Sequence, residues 1–384
     1  MPEGRALQAQ FRLDPAHRGL APAGARIALP LMLRWRAGPF AIGSYSASKS
    51  SPAIDEDRLY VGMDDGTLYA LARDDGAVLW HFATQRAAVE AQADGPLHYG
   101  IHSSPAFDAE RVYVGDYEGV LYALDRDQGR LRWERDLGGS IGASPVLHDG
   151  VLHIAVEFPA PDAKVFGVDA RDGTVRYESN WLGALAHSSV SLSLDTELAY
   201  VGDNAGVLHA LDMHGGAERW RTQVGGAIKS TAAVADGAVF ITSWDHQLHA
   251  FEALGGRERF TFATGGTSMS SPSSDGRRLW FGSDDETLYA LDTRRGEEQW
   301  RLSTRGAIQS SPTVVTDANL VLVGSRDERL YVVDATTGEN LQALALDADI
   351  TSVPVVVDGE VYVSDDAGNV YRFDSTEPNT DAGL

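Results

Sequence analysis

The sequence predicts an all-β protein, an eight-bladed β-propeller of four-stranded antiparallel blades, and three observations lead to this prediction. First, a unit recurs along the chain, and aromatic landmarks in successive units lie 53, 44, 43, 40 and 40 residues apart, which is the period of propeller blades. Second, each unit contains four short apolar runs, which we name A to D, separated by turns rich in Gly and Asp. Third, the last unit lacks its D run, and the N-terminal segment carries a matching one.

The first, second, fourth and sixth units are the clearest copies. In each, a B run such as Leu-Tyr-Val-Gly precedes a C run such as Leu-Tyr-Ala-Leu, and the D run contains a tryptophan. Glycine in the turns adopts positive φ without steric cost, and the neighbouring Asp carboxylates can accept hydrogen bonds from the turn backbone. We therefore interpret the turn Asp residues as structural.

The third, fifth and seventh units are weaker copies of the same pattern. Tyr177 and Phe260 replace the tryptophan in the third and fifth units, and Leu341 replaces it in the seventh. Large aromatic side chains at one repeated position are typical of contacts between repeats. The predicted structural aromatic residues are Trp35, Trp80, Trp133, Tyr177, Trp220, Phe260 and Trp300.

The eighth unit ends after its C run at Phe373, and the run around Trp35 supplies the missing D strand. Pairing between these two runs closes the ring and leaves no free sheet edge. The expected organisation is an N-terminal extension (1–30) packing along the outside, a single propeller (31–374) and a polar C-terminal tail (375–384).

These units resemble the PQQ-like propeller family, whose repeat combines Tyr-Ala-Leu-Asp with Gly-x-x-x-Trp, and the resemblance covers residues 31–374. It implies that each Trp docks onto the neighbouring blade. The family includes PQQ-dependent alcohol and sugar dehydrogenases, the propeller lipoprotein of the outer-membrane assembly machine and many binding propellers. Function therefore has to be argued from the site and not from the fold.

Composition excludes several function classes. The chain has 55 acidic and 32 basic side chains, a formal net charge of −23, and this charge repels phosphate backbones, so no nucleic-acid partner is expected. Cysteine is absent, which excludes disulfides and thiolate chemistry. The sequence shows no signal-like apolar region and no run of eighteen apolar residues. We expect a monomeric cytoplasmic protein, with an extracytoplasmic one as the alternative if a signal sequence was removed.

One face of the propeller is favoured for binding because it carries the longest loops. The D-to-A links and the B-to-C turns share this face, which we call the DA face. The link at 85–101, the link at 38–48 and the B-to-C turn at 157–162 are all extended. Loops on a rigid scaffold are where binding residues concentrate, although propeller loops also tolerate insertions without function.

The position just before each A run is predicted to line the mouth of the central channel. None of its residues is acidic: they are Lys49, His102, Gly142, His187, Lys229, Met269, Gln309 and Thr351. Lys, His and Gln can donate hydrogen bonds to carboxylate or phosphate. The predicted ligand-binding residues are therefore Lys49, His102, His187, Lys229 and Gln309, with Trp244 as an aromatic wall. The alternative is that these side chains only fill the channel mouth.

The function predicted from the sequence is a non-catalytic binding or scaffold propeller that takes a protein partner or an anionic small molecule on the DA face. Two alternatives stay open: a diverged PQQ-dependent oxidoreductase and an outer-membrane protein assembly factor. The resemblance implies Ca²⁺ ligands and a catalytic Asp in the funnel of a dehydrogenase, and the mouth position carries no carboxylate. No catalytic residue, metal or cofactor is predicted, although the cationic ring could receive the carboxylates of PQQ.

Overall fold

A computed structural model describes five stretches of the chain: 10–12, 14–40, 50–84, 100–159 and 162–375. Within these residues, 32 β-strands form eight four-stranded antiparallel sheets, and the single helix is a 3₁₀ turn at Thr316–Ala318. Every sheet is one blade. The predicted eight-bladed all-β propeller is confirmed.

The strand bounds follow the repeat. The first strand, β1 (Leu31–Ala37), belongs to the last blade. Blade 1 contains β2 (Ala53–Ile54), β3 (Arg58–Gly62), β4 (Thr67–Ala72) and β5 (Val78–Ala83). Blade 2 contains β6 (Ala106–Phe107), β7 (Arg111–Gly115), β8 (Val120–Asp125) and β9 (Leu131–Asp136). Blade 3 contains β10 (Val146–His148), β11 (Val151–Phe158), β12 (Asp162–Asp169) and β13 (Val175–Glu178). Blade 4 contains β14 (Ser191–Ser193), β15 (Leu198–Gly202), β16 (Val207–Asp212) and β17 (Glu218–Gln223).

The second half of the ring repeats this order. Blade 5 contains β18 (Ala233–Ala235), β19 (Ala238–Ser243), β20 (Gln247–Glu252) and β21 (Glu258–Ala263). Blade 6 contains β22 (Ser273–Ser274), β23 (Arg278–Gly282), β24 (Thr287–Asp292) and β25 (Glu298–Ser303). Blade 7 contains β26 (Thr313–Val315), β27 (Leu320–Ser325), β28 (Arg329–Asp334) and β29 (Asn340–Ala345). Blade 8 contains β30 (Val355–Val357), β31 (Glu360–Ser364) and β32 (Val370–Ser375), and β1 completes it.

The short A strands surround the axis, since A strands of neighbouring blades contact one another. The B and C strands are almost wholly buried, and the hydrophobic core lies between adjacent blades, as where Tyr60 and Leu68 of blade 1 pack with Val112 and Tyr122 of blade 2. The D strands form the outer rim with one face exposed. Each C–D pair contains a one-residue register shift, which increases the local twist.

Seven of the eight D strands carry an aromatic residue that packs against the next blade. Trp80 Nε1 donates a hydrogen bond to the carbonyl of Arg126, 2.9 Å away, in the C–D turn of blade 2. Its indole ring covers Gly129, where an added Cβ would lie 2.4 Å from a ring carbon, so the turn accepts only glycine. The same indole hydrogen bond to the next blade is made by Trp35, Trp133, Trp220 and Trp300. Tyr177 and Phe260 cover the equivalent glycines.

A ring of hydroxyl groups joins the A strands around the axis. The amide of Ser51 donates to Ser104 Oγ at 2.9 Å, and the same bond recurs from blade to blade until the amide of Val353 donates to Ser51 Oγ at 2.9 Å. The intervening links use Ser144, Ser189, Thr231, Ser271 and Ser311. Blade 8 has Val353 at this position and so offers no hydroxyl to Ser311.

The ring closes between the two ends of the chain, as predicted. Strand β1 pairs antiparallel with β32, with Leu31 opposite Ser375 and Ala37 opposite Val370. Trp35 therefore takes the D-strand aromatic position of blade 8, and its indole docks onto blade 1. Strand β1 covers the edge of β32, so the closing blade has four strands like the other seven.

The sequence led us to expect that the segment before β1 packs along the outside, but its residues 14–20 follow the A strands that surround the channel. Farther along the chain, Gly24 and Arg26 lie against the A-to-B turns of blades 7 and 8. We call residues 10–12 and 14–27 the strap. Four strap carbonyls accept backbone hydrogen bonds from equivalent A-strand amides in blades 4 to 7: Pro15 from Leu192, Ala16 from Val234, Arg18 from Ser274 and Gly19 from Val314. The physical reason is that the A strands are sheet edges whose amides face the axis and need acceptors.

Candidate functional site

The DA face carries the predicted ring at the channel mouth, although part of it lies outside the described residues. Lys49 and the link at 41–49 are in that part, as are residues 85–99 of the long link into blade 2. The extended hairpin of blade 3 is described on both sides of its turn, because β11 and β12 run on to Phe158 and from Asp162. The described part of the site consists of the remaining seven ring positions and the turns beside them.

Four ring residues face a carboxylate. Each comes from a D-to-A link, and its partner comes from a B-to-C turn or from the end of a B strand. The four pairs are His102 Nε2 to Asp64 Oδ1 at 3.3 Å, His187 Nδ1 to Glu157 Oε1 at 2.9 Å, Gln309 Nε2 to Asp284 Oδ1 at 3.0 Å and Thr351 Oγ1 to Asp366 Oδ1 at 2.7 Å. The donors predicted to bind an anion thus already point at acidic groups.

Sequence reasoning missed these carboxylates because it followed only the position before strand A. A second position, in the B-to-C turn, is occupied by Asp64, Asp284 and Asp366 in three blades, and this regularity was the available signal. In blade 7 the position holds Arg326, whose Nε lies 2.8 Å from Asp349 Oδ2.

The charges of the described mouth are mostly negative. Its carboxylates are Asp64, Glu157, Asp284, Asp349 and Asp366, and its cations are Lys229 and Arg326. An anion placed here meets repulsion from these carboxylates, which weakens the donors' attraction. The anion site stays a prediction, and three of its five predicted donors, His102, His187 and Gln309, already lie beside carboxylates.

Burial raises the pKa of three carboxyl groups near this face, one of which is Asp65 in the B-to-C turn of blade 1. The pKa of Asp366 is raised to about 6, mainly because the group is withdrawn from water. The pKa of Asp116, in the B-to-C turn of blade 2, is likewise raised to about 6 by burial. Beside it, burial and the charge of Glu157 raise the pKa of Tyr117. The negative charge on this face therefore increases as pH rises through 6.

Two tryptophans of the DA face are exposed, and a lysine lies over each ring. Trp244, in the B-to-C turn of blade 5, is 40% exposed, with Lys229 Nζ 4.1 Å from its ring centroid. Trp181, in the link from blade 3 to blade 4, is 53% exposed, with Lys164 Nζ 4.3 Å away. Phe158 packs edge-on against Trp181 with ring centroids 5.0 Å apart.

Trp181 was not among the residues predicted from the sequence. Its signal was a tryptophan in a link between blades, outside the repeated D-strand position where this protein uses Trp for docking. The structure thus places two Lys-covered aromatic groups on one face, one against blade 3 and one in blade 5, and Trp244 and Lys229 from the predicted set form one of them.

The residues at the channel mouth do not fit PQQ. This quinone carries carboxylates, and its binding needs unopposed donors or a bound cation, whereas here His102, His187 and Gln309 each face an acidic group. Across the described part of the chain, no three His, Asp or Glu side chains are grouped to hold a metal ion. We therefore derive no chemistry through this cofactor.

Known proteins similar to this chain include members of one family and two solved propeller structures. A family model described as outer membrane protein assembly factor BamB matches residues 33–102, 89–301 and 284–380. Of the curated proteins of that description, the one from Xanthomonas campestris pv. campestris is 30% identical over 193 residues, 49% of this chain and 44% of that protein. The one from Legionella pneumophila is 26% identical over 198 residues, 50% of this chain and 48% of that protein. The chain thus spans about half the length of the curated relatives it matches.

Two solved structures share the fold. The crystal structure of BamB from Moraxella catarrhalis superposes with a TM-score of 0.70 at 20% identity, covering 91% of this chain and 99% of that one. A europium-containing methanol dehydrogenase superposes with a TM-score of 0.77 at 12% identity, covering 96% and 98%. At these identities the superpositions establish the architecture alone.

The expected cytoplasmic location is wrong. The matching family and its relatives are described as assembly factors of outer membrane proteins, and that work lies outside the cytoplasm. The expectation rested on the lack of an apolar export-like region in the sequence. The rest of the sequence could not correct it, because the composition of propeller blades reflects packing and not compartment. No helix in the described residues is long and apolar enough to cross a membrane.

Proposed function

This chain belongs to the family described as outer membrane protein assembly factor BamB, and on that premise we propose that it is a non-catalytic propeller acting in outer membrane protein assembly. In this proposal it docks a protein partner on the DA face. The observation that carries the proposal is the pair of exposed tryptophans, Trp181 and Trp244, on this one face.

Exposed tryptophans are suited to protein recognition. A tryptophan buries a large apolar area with little loss of side-chain entropy, and interface energy concentrates in such residues. Lys164 and Lys229 lie over the two rings and shield them from water while the face is free. On docking, these lysines can swing aside at small cost because surface contacts of this type are weak.

The carboxylates around the channel mouth indicate the charge of the proposed partner surface. Acidic groups on the same face as aromatic anchors favour a partner surface with apolar pockets and basic groups, and they speed encounter with it. The net charge of −23 acts in the same direction at longer range. The proposed partner is therefore a basic protein surface of the outer membrane protein assembly system.

Site-specific photo-crosslinking in the organism that encodes this chain tests the proposal. A photoreactive amino acid at position 181 or 244 is expected to capture one protein of defined mass, identified by mass spectrometry. The matched control is position 254, where Leu254 is 72% exposed in a C–D turn on the opposite face.

The functional arm uses the double variant Trp181→Ala, Trp244→Ala. It is expected to retain the melting temperature of the wild type, because both rings are exposed, and to lose the crosslink and normal outer membrane protein levels. Leu254→Ser is expected to change neither. Equal crosslinking at 254, or normal protein levels in the double variant, contradicts the proposal.

A further inference from the structure

The strap buries a cation inside the channel. Arg12 is 2% exposed, and its Nη2 donates to the carbonyl of Pro272 at 2.5 Å and to Ser273 Oγ at 2.6 Å, both in blade 6. Arg12 Nε and Nη1 are buried as well, and neither has a hydrogen-bond partner among the described residues. A guanidinium has five N–H donors, and leaving them unpaired in a buried place is costly.

A second polar side chain shares this place. His17 is 0% exposed, both of its ring nitrogens are buried without a partner in the described chain, and Phe11 packs edge-on against its ring at 5.5 Å. Phe11 directly precedes Arg12, so this ring contact places His17 beside the segment that carries Arg12. Burial, and then the charge of Arg12, lowers the pKa of His17 to about 3. His17 is therefore neutral and keeps one N–H to donate.

The charge of Arg12 is poorly balanced by the protein. The acidic group acting on it is Asp14, whose carboxylate accepts a hydrogen bond from Arg18 Nε at 3.3 Å. Burial outweighs that attraction and lowers the pKa of Arg12 to about 9. A counter-charge supplied from solution would stabilise the buried cation.

We propose that Arg12 and His17 hold a small monatomic anion, of the chloride class, between the strap and blade 6. The packing around Arg12 Nη2 is tight, since a Cβ added at Gly19 would lie 2.5 Å from Arg12 Nη2 and 2.3 Å from Ser273 Oγ, and we therefore assign the ligand to the smallest class of anion. The anion accepts from the unpartnered donors of Arg12 and from His17, and it thereby couples strap docking to halide concentration. This site is separate from the DA face and does not depend on the proposed function.

The first test is thermal unfolding at pH 7.5 and constant ionic strength, with chloride replaced stepwise by gluconate, which is too large for the site. The melting temperature of the wild type is expected to rise by about 1–2 °C for each tenfold increase in chloride above its dissociation constant. Arg12→Met is expected to lose this dependence. Arg26→Met, an exposed cation on the same strap, is the matched control and is expected to keep it.

The second test needs no variant, so it remains decisive if Arg12→Met does not fold. Crystals of the wild type grown in bromide are expected to show an anomalous peak bridging Arg12 and His17. An ordered water there without anomalous signal overturns the proposal. So does a melting temperature that is the same in chloride and gluconate, or a chloride dependence that Arg12→Met retains.

Discussion

Arg73 illustrates how a single residue secures the seam where the ring closes. It sits in the C–D turn of blade 1, fully buried, and its guanidinium donates to Glu360 Oε2 at 2.6 Å, Asp358 Oδ2 at 2.9 Å and the carbonyl of Asp55 at 3.1 Å. Two of these acceptors belong to blade 8. Arg73 therefore joins the first and last blades beside the docked indole of Trp35.

Replacing Arg73 by Met is expected to lower the free energy of unfolding by about 3 kcal/mol. Removing one partner of a buried ion pair leaves the other charge unbalanced, at a cost of roughly 3–5 kcal/mol. We expect the lower end of this range because Glu360 keeps its ion pair with Arg372, 2.6 Å away. Chemical denaturation measures the change. Arg257→Met, whose pair with Glu252 is exposed, is the control and should change the stability far less, because exposed ion pairs contribute little; equal losses in the two variants would contradict this account.

Asp366 at the channel mouth is expected to make the stability of the protein depend on pH. Its folded-state pKa of about 6 lies above the unfolded value of 3.8, so the folded state holds the proton more tightly. The stability that protonated Asp366 contributes is therefore present below pH 3.8 and is lost as pH rises through 6. Asp366→Asn keeps an acceptor for Thr351 and removes this loss.

The expected result is that Asp366→Asn stabilises the protein by about 1–2 kcal/mol at pH 7.5 and has little effect at pH 4. Denaturation of both proteins at several pH values measures it. Asp347→Asn, an exposed carboxylate paired with Arg36, serves as the control and should bring no gain at pH 7.5. A gain from Asp366→Asn that is the same at pH 4 and pH 7.5 would show that titration is not its cause.

At the scale of elements, the N-terminal segment contains two parts with different roles. Strand β1 supplies the D strand of blade 8, whereas the strap satisfies amides of the A strands inside the channel. Truncation at two points can separate these roles, since residues 1–27 include the strap and residues 1–38 include β1 as well.

We expect removal of residues 1–38 to cause aggregation or a large loss of stability, because β32 becomes an exposed edge and Trp35 is lost. Removal of residues 1–27 leaves the ring closed, so the protein should stay monomeric with a smaller drop in melting temperature. Size-exclusion chromatography and thermal unfolding measure both. A monomeric 39–384 protein with an unchanged melting temperature would show that β1 is not needed for closure.

At the scale of the whole molecule, 55 acidic side chains against 32 basic ones produce self-repulsion in the folded ring. Salt screens this repulsion, with a Debye length of about 10 Å at 0.1 M. The melting temperature should therefore rise by roughly 2–5 °C between 0.05 and 0.5 M ionic strength, even when sodium gluconate is the salt. A fall in gluconate would show that attractive ion pairs outweigh the repulsion.

The repeat, its eight-fold count and the closing strand could all be predicted from the sequence. The reason is that these features follow local rules: alternation within a strand, glycine in a turn and an aromatic residue at one repeated position. Trp80 above Gly129 and Trp35 beside blade 1 are where the motif places them. Even the missing D strand was visible, because an incomplete unit and a spare strand occur in the same chain.

Tertiary structure alone decided the course of the strap and the charge of the channel mouth. The strap makes backbone hydrogen bonds to blades far along the chain, such as Gly19 with Val314, and any sequence can supply backbone carbonyls. At the mouth, a ring position and a turn position distant in sequence meet in space, as His102 meets Asp64. Local patterns determined the blades by themselves, whereas contacts between side chains brought together by the ring decided what its face and channel can bind.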